Sequence, residues 1–235
     1  MKILILTMWC LIPVGLAAYH FGPGQEKMLL DDTAALLDGA KSKASAGDLE
    51  GAIAGYENTL AKLPKDKVAE ARRIRLELAK ARMETAQLPK AREELAALAD
   101  ELAQDPNAHA GLRDETLATL ASSRFYMTYL MKLEGLPDSE WEPEIEAARQ
   151  EQKLLVQRAT EAGDSSAAKK HADDLEASIK LARMEPEELY GQAIPKQCNC
   201  CSGKCASNKP GKKPSQKPKD GRGAGAGAPM DGEGS

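Results

Sequence analysis

The stretch Gly47-Asp48-Leu49-Glu50-Gly51-Ala52-Ile53-Ala54-Gly55-Tyr56-Glu57-Asn58-Thr59-Leu60-Ala61-Lys62-Leu63-Pro64 decides the fold. It opens on a turn glycine and a carboxylate that can cap a helix, and it ends on a proline that stops one. Between these ends, Ala52, Tyr56 and Thr59 recur at helical spacing. This order of small and aromatic residues is typical of the second helix of a helical hairpin.

The composition of the 235-residue chain favours helix well beyond this stretch. Aromatic residues make up 4% of the chain and charged residues 29%, and the abundant Ala, Leu, Glu, Lys and Arg are strong helix formers. No alternating strand pattern bounded by hairpin turns occurs after residue 24. We therefore predict an all-α domain over residues 25–190.

Caps, glycines and prolines divide this domain into seven predicted helices. The helices span about residues 25–46, 48–63 and 67–86, one with Pro89 in its first turn, one from Asp105-Pro106 to 133, one ending at 163, and one over 165–184. The sixth starts either with a Ser139–Glu142 capping box or at Pro143. Asp48, Asp66 and Asp164 are predicted N-caps. Short loops between seven helices imply antiparallel neighbours that pack in pairs.

Residues 33–66 resemble a tetratricopeptide repeat. The residues that carry the resemblance are Leu36, Ala40, Gly47, Ala52, Tyr56, Thr59 and Pro64. A weaker second copy contains Leu78, Ala79, Ala86, Ala91, Leu95 and Leu98, and it lies 39 residues after the first, against ~34 in the family. The resemblance implies antiparallel hairpins stacked as a short solenoid. It also implies a protein-binding scaffold, and the layout is similar to that of bacterial envelope proteins with one N-terminal hydrophobic segment.

The N-terminal segment, residues 1–24, contains an apolar run over residues 3–21 that follows Lys2. As a helix this run would extend roughly 28 Å, close to the hydrocarbon thickness of a membrane. It is either a cleaved signal peptide, with Gly15 and Ala17 before the cut, or an uncleaved signal-anchor, which its length favours. Both interpretations place the rest of the chain outside the cytoplasm, tethered to the cell membrane or, alternatively, secreted.

Charge is unevenly distributed along the chain, whose formal net charge is −4. Residues 196–222 hold eight Lys or Arg and one Asp, so the remainder carries −11. An acidic helical body of this kind is not expected to bind nucleic acid. Residues 207–235 are rich in Gly, Pro and Lys, which predicts a disordered basic tail.

Four cysteines lie close together in a Cys-rich segment, residues 191–206. They are Cys198, Cys200, Cys201 and Cys205. In an oxidising exported setting disulfides are the default, and three pairings are possible. Four thiolates can instead bind zinc or Cu(I), and a redox-active dithiol is a third alternative. The pattern leaves these three open, and no other cofactor is predicted.

The fifth predicted helix carries an aromatic and methionine cluster. Its members are Phe125, Tyr126, Met127, Tyr129, Leu130, Met131 and Leu133. They form either core packing against two neighbouring helices or an exposed groove for a partner peptide. The predicted partner-contact residues of the whole chain are Tyr56, Arg75, Arg82, Tyr126 and Tyr129.

Patterns of known catalytic sites do not occur in the sequence. It has no phosphate-binding glycine loop, no nucleophile elbow and no His-Glu-x-x-His. We therefore expect no enzyme but a scaffold whose partners are other envelope proteins. The alternative is a metal-binding or thiol-redox protein whose working part is the cysteine cluster.

Overall fold

The computed structural model describes residues 23–190, together with Trp9 and Ile12. Within residues 23–190 the backbone forms eight α-helices and no strand. The helices are α1 Pro23–Ala46, α2 Leu49–Lys62, α3 Val68–Met83, α4 Leu88–Gln104, α5 Ala110–Leu133, α6 Asp138–Glu161, α7 Ser165–Arg183 and α8 Pro186–Tyr190. The prediction of an all-α domain is confirmed.

Each helix from α1 to α6 packs against the next one along the chain. In addition, α3 contacts α5, and the short α8 returns to contact α5. Adjacent helix pairs therefore stack on one another, as in a helical repeat fold. Because most contacts are between sequence neighbours, each helix is held mainly by the helices that precede and follow it.

The turns between the helices follow the predicted chemistry at several positions. Gly47, Gly135 and Gly163 have φ values of 83°, 72° and 75°, a region that glycine enters without a steric cost. The Asp48 side chain accepts a hydrogen bond from the Gly51 N–H at 3.0 Å. Asp164 accepts one from the Ala167 N–H at 2.9 Å, so both predicted caps are confirmed.

Two predicted helix starts are wrong. Lys67, rather than Asp66, occupies the N-cap of α3, and it makes no side-chain capping bond. The helix predicted from Asp105-Pro106 begins at Ala110 instead. Asp105 holds the intervening loop, because its carboxylate accepts hydrogen bonds from the Asn107 N–H at 2.9 Å and from Arg72 at 2.6 Å.

The start of α6 also differs from both predicted alternatives. Pro137 is the N-cap, no side chain caps the helix, and Pro143 lies inside it. Asp138 and Glu140 lie in the first turn, where carboxylates interact favourably with the partial positive charge of the helix N-terminus. A final helix, α8, begins at Pro186, after the last of the seven predicted helices.

Three clusters of buried side chains form the core, one at each step of the stack. The first joins α1, α2 and α3 and consists of Ala40, Ala52, Ile53, Tyr56, Ile74, Leu78 and Ala81. The second joins α3, α4 and α5 and includes Leu76, Met83, Leu88, Leu95, Leu102, Leu120 and Tyr126. The third joins α5 to α6, α7 and α8 through Tyr129, Trp141, Ile145, Leu181, Met184 and Leu189.

Ion pairs connect the same steps. The buried Arg82 of α3 pairs with Glu57 of α2 and Glu94 of α4. Lys80 of α3 reaches Glu115 of α5 at 2.6 Å. These pairs join separate helices, so they help to fix how one hairpin sits on the next.

None of the helices in the described part of the chain is long and apolar enough to cross a membrane. The predicted membrane segment, residues 3–21, lies outside the described residues except for Trp9 and Ile12. The Cys-rich segment, from residue 191, and the basic tail also lie outside them.

Candidate partner-binding groove

Four of the five predicted partner-contact residues are buried. Tyr56 and Tyr129 are each 2% exposed, Tyr126 is 9% exposed, and Arg82 is 2% exposed. Burial raises the pKa of the Tyr56 phenol, and the nearby Glu77 carboxylate adds to the effect. Burial gives these four side chains a packing role, and their contact with a partner stays a prediction.

Arg75 is the fifth of these residues, and its side chain remains 35% exposed. Its Nη1 donates to Glu101 Oε2 at 2.5 Å, while Arg72 donates to the other oxygen of Glu101 at 2.7 Å. These hydrogen bonds lower the pKa of the Glu101 carboxyl. Arg75 therefore belongs to an ion cluster between α3 and α4, with part of its guanidinium open to solvent.

The cluster on α5 divides between the two predicted arrangements. Phe125 and Tyr126 form an edge-to-face pair with ring centroids 5.6 Å apart, and Tyr126 and Tyr129 pack into the core clusters. Three side chains of the same segment line an open groove. Those side chains are Met127, Leu130 and Met131.

This groove, which we call the Met groove, has a volume of about 300 Å³. Its walls come from the end of α3, the following turn, the start of α4, the end of α5 and the loop after it. The lining residues are Met83, Thr85, Ala86, Leu88, Pro89, Met127, Leu130, Met131, Glu134 and Leu136. Leu130 and Leu136 are 40% and 39% exposed, so the groove presents apolar surface to solvent.

Methionine makes such a surface adaptable. Its unbranched side chain has three rotatable bonds and a polarisable sulfur, so it adjusts to apolar groups of different shapes. Met127 and Met131 lie one turn apart on α5, and Met83, which is 6% exposed, lines the groove from the end of α3. The groove is therefore suited to one or two apolar side chains of a peptide.

Electrostatics around the Met groove favour positive charge. The carboxyl ends of α3 and α5 both border it, and these ends carry partial negative charge. Glu134 lines the groove, and the exposed Glu84 follows Met83 directly. The amino end of α4 supplies one opposing partial charge, and Lys132 lies in the last turn of α5.

A second cleft, of about 200 Å³, lies on the other side of Leu136. In it the buried Lys132 donates to the Ala182 carbonyl oxygen at 3.3 Å and lies 3.9 Å from the Trp141 ring centroid. Burial lowers the pKa of Lys132, although Asp138 and Glu185 act in the opposite direction. Lys132 therefore connects α5 to the end of α7.

A buried ion network lies between α4, α5 and α6. Glu144 of α6 accepts hydrogen bonds from Arg92 and from Arg124, the latter at 2.8 Å. Arg124 Nε also donates to Glu151 Oε1 at 3.0 Å, while Glu151 Oε2 is buried without a hydrogen-bond partner. Burial raises the pKa of Glu151 to about 7, against the pull of Arg124.

Metal ligands are not grouped in the described part of the chain. No three His, Cys, Asp or Glu side chains there lie close enough together to hold a metal ion. The four cysteines at 198, 200, 201 and 205 lie outside the described residues. Disulfide, metal and redox roles for them therefore stay predictions.

Several groove residues were missed by sequence reasoning. Met83, Leu88 and Leu136 come from three separate segments, and each looks like an ordinary helix-end residue in the sequence. Comparison with protein-family models, with curated proteins and with solved structures found no match to this chain. The Met groove is therefore the feature from which we infer a function.

Proposed function

We propose that this protein is an exported, membrane-tethered scaffold of the tetratricopeptide-repeat type that binds another envelope protein through the Met groove. The observation that carries the proposal is an open, methionine-lined apolar groove at a junction of three helices. Adjacent helix pairs hold its walls in place, since each core cluster joins at least three helices. Such a preformed surface loses little conformational entropy when a peptide binds.

The lining of the Met groove favours a peptide over a small polar ligand. Among the described residues that line it, only Thr85 and Glu134 have polar side chains. Small-molecule sites usually combine an enclosed apolar pocket with several convergent polar groups. We therefore infer a partner segment with one or two large aliphatic side chains, followed or preceded by Lys or Arg that meets Glu84 and Glu134.

The proposed tether is the apolar run over residues 3–21. It would keep the helical domain at the membrane surface, where its partners would be other envelope proteins. Tethering raises the local concentration of the groove relative to a partner in the same membrane. Even a groove of modest intrinsic affinity would then be occupied.

A pull-down from membranes, after chemical crosslinking, tests this proposal. Leu130→Glu places a carboxylate in the Met groove, whereas Leu154→Glu makes the same change on α6, at a leucine that is 38% exposed. Both sites are exposed, so neither variant should lose the fold. We expect Leu130→Glu to abolish recovery of the partner and Leu154→Glu to leave it unchanged. Equal recovery with the two variants would refute the role of the groove.

Thiol or metal handling remains the second candidate function, because four cysteines occur within eight residues of sequence. Mass spectrometry of the full chain before and after alkylation distinguishes the three chemical states. Among Cys198, Cys200, Cys201 and Cys205, four blocked thiols indicate disulfides, four free thiols leave the redox alternative, and a bound ion indicates a metal site. Partner recovery that survives Cys→Ser at all four positions would favour the scaffold.

A further inference from the structure

We propose that residues 193–196 of the same chain, Ala193-Ile194-Pro195-Lys196, bind in the Met groove and compete there with the partner. This inference rests on the proposed function, because it takes the Met groove as the partner-binding surface. It is supported by where the described part of the chain ends, by the length of the connection and by the chemistry of the segment.

The described part of the chain ends beside the groove. Leu189 is 1% exposed and belongs to the core cluster that contains Tyr129. The next residue, Tyr190, donates its hydroxyl to the Leu133 carbonyl oxygen at 3.2 Å. Leu133 is the last residue of α5, and Glu134 directly after it lines the Met groove.

The connection is long enough to reach the groove. Ile194 follows Tyr190 by four residues, which span up to about 14 Å when extended. This exceeds the diameter of a helix with its side chains, about 10–12 Å. Four extended residues therefore cover the width of α5, which contacts α8 and also borders the Met groove.

The composition of the segment matches the lining of the groove. After Tyr190, Ile194 is the only Ile, Leu, Val or aromatic residue in the sequence. Pro195 restricts the backbone, which lowers the entropy lost on binding. Lys196 follows two residues after Ile194, so its ammonium group would lie near the carboxylate of Glu134 and the negative end of α5.

The expected strength of this intramolecular contact is moderate. A connection of three or four residues gives the segment an effective concentration on the order of millimolar. One aliphatic side chain and one exposed ion pair give an intrinsic Kd of roughly the same size. About half of the grooves would then be occupied, so removing the segment should raise partner affinity about twofold.

The first test is photocrosslinking within the full chain. A photoreactive amino acid replaces Ile194 and, in the matched control, Ser207. We expect position 194, but not 207, to crosslink to the α5 segment Met127–Met131 or to the turn after Met83 in dilute protein. Crosslinks that form only between two chains, with a yield that rises with concentration, or that fall elsewhere on the domain, would overturn the inference. Added Leu130→Glu should remove the crosslink at 194.

The second test separates this inference from the proposed function. Ile194→Asp removes the aliphatic anchor, and Ala206→Asp is the charge-matched control in the same part of the sequence. We expect Ile194→Asp alone to raise partner recovery about twofold. Unchanged recovery together with no crosslink at 194 overturns the inference and leaves the proposed function standing. A crosslink at 194 with no partner recovered from any variant supports intramolecular binding and overturns the proposed function.

Discussion

Glu151 is expected to make the stability of this domain depend on pH near neutrality. Its pKa is raised from an ordinary 4.5 to about 7, chiefly by burial. A carboxyl whose folded pKa lies above its unfolded pKa binds its proton more tightly in the folded state. Its favourable contribution is therefore present below about pH 4.5 and is lost as pH rises to about 7.

The size of the effect follows from the shift. One pKa unit corresponds to about 1.4 kcal/mol, so a shift from 4.5 to about 7 corresponds to roughly 3 kcal/mol. The Glu151 side chain is only 15% exposed, so solvent screening reduces this value little. The charge of Glu144 also raises the pKa of Glu151, whereas the charge of Arg92 lowers it. Arg124 lowers this pKa as well, through its charge and its hydrogen bond.

Glu151→Gln tests this reasoning, because glutamine resembles the protonated carboxyl and does not titrate. Its side-chain oxygen can still accept from Arg124. The quantity compared is the free energy of unfolding of Glu151→Gln minus that of the unmodified protein. We expect this difference to rise by on the order of 2–3 kcal/mol between about pH 5 and pH 8. Urea unfolding followed by far-ultraviolet circular dichroism measures this difference.

Glu146→Gln is the matched control, since Glu146 lies on the same helix and is 48% exposed. Its difference from the unmodified protein should stay nearly constant over the same pH range. Groups such as His171, whose pKa is lowered mainly by burial, titrate in every variant and cancel in the comparison. A pH-independent difference for Glu151→Gln would refute a raised pKa at this position.

Two further predictions concern packing and ion pairs. Gly55→Ala should destabilise the domain by about 1–2 kcal/mol, because a Cβ at this position would lie 2.8 Å from the Ala40 Cβ. Gly39→Ala should instead stabilise α1 by roughly 0.5–1 kcal/mol, because no atom lies within 4 Å of the added Cβ. Opposite signs in thermal unfolding confirm this, and equal effects contradict it. Arg82→Met should lower the free energy of unfolding by about 2 kcal/mol. Arg149 is more exposed, so Arg149→Met should lower it by less than about 0.5 kcal/mol. Similar urea midpoints for the two variants would contradict the bridging role of Arg82.

The sequence predicted what depends on local chemistry. Gly47 and Asp48 set a turn and a cap within a few residues of one another, and the structure confirms both. Asp66 has the same chemistry but caps nothing, since Lys67 occupies the N-cap of α3. Asp105 was misassigned because its partner, Arg72, is 33 residues away and lies on another helix.

The Met groove depends on tertiary contacts, and so only part of it was predicted. The methionines of α5 suggested either a core or a groove, but periodicity alone does not decide between them. The distinction comes from Met83, Leu88 and Leu136, which complete the groove from other segments. Tyr56, Tyr126 and Tyr129 are buried, and residue type alone does not reveal this, because tyrosine suits both an interface and a core.

Photocrosslinking from position 130 in intact cells tests the central claim most directly. A photoreactive amino acid replaces Leu130 in one variant and Leu154, which is similarly exposed, in another. The claim predicts that position 130 captures one discrete envelope protein, that position 154 does not, and that Leu136→Glu abolishes the capture. Equal capture from both positions, or capture at 130 that Leu136→Glu leaves intact, would contradict it.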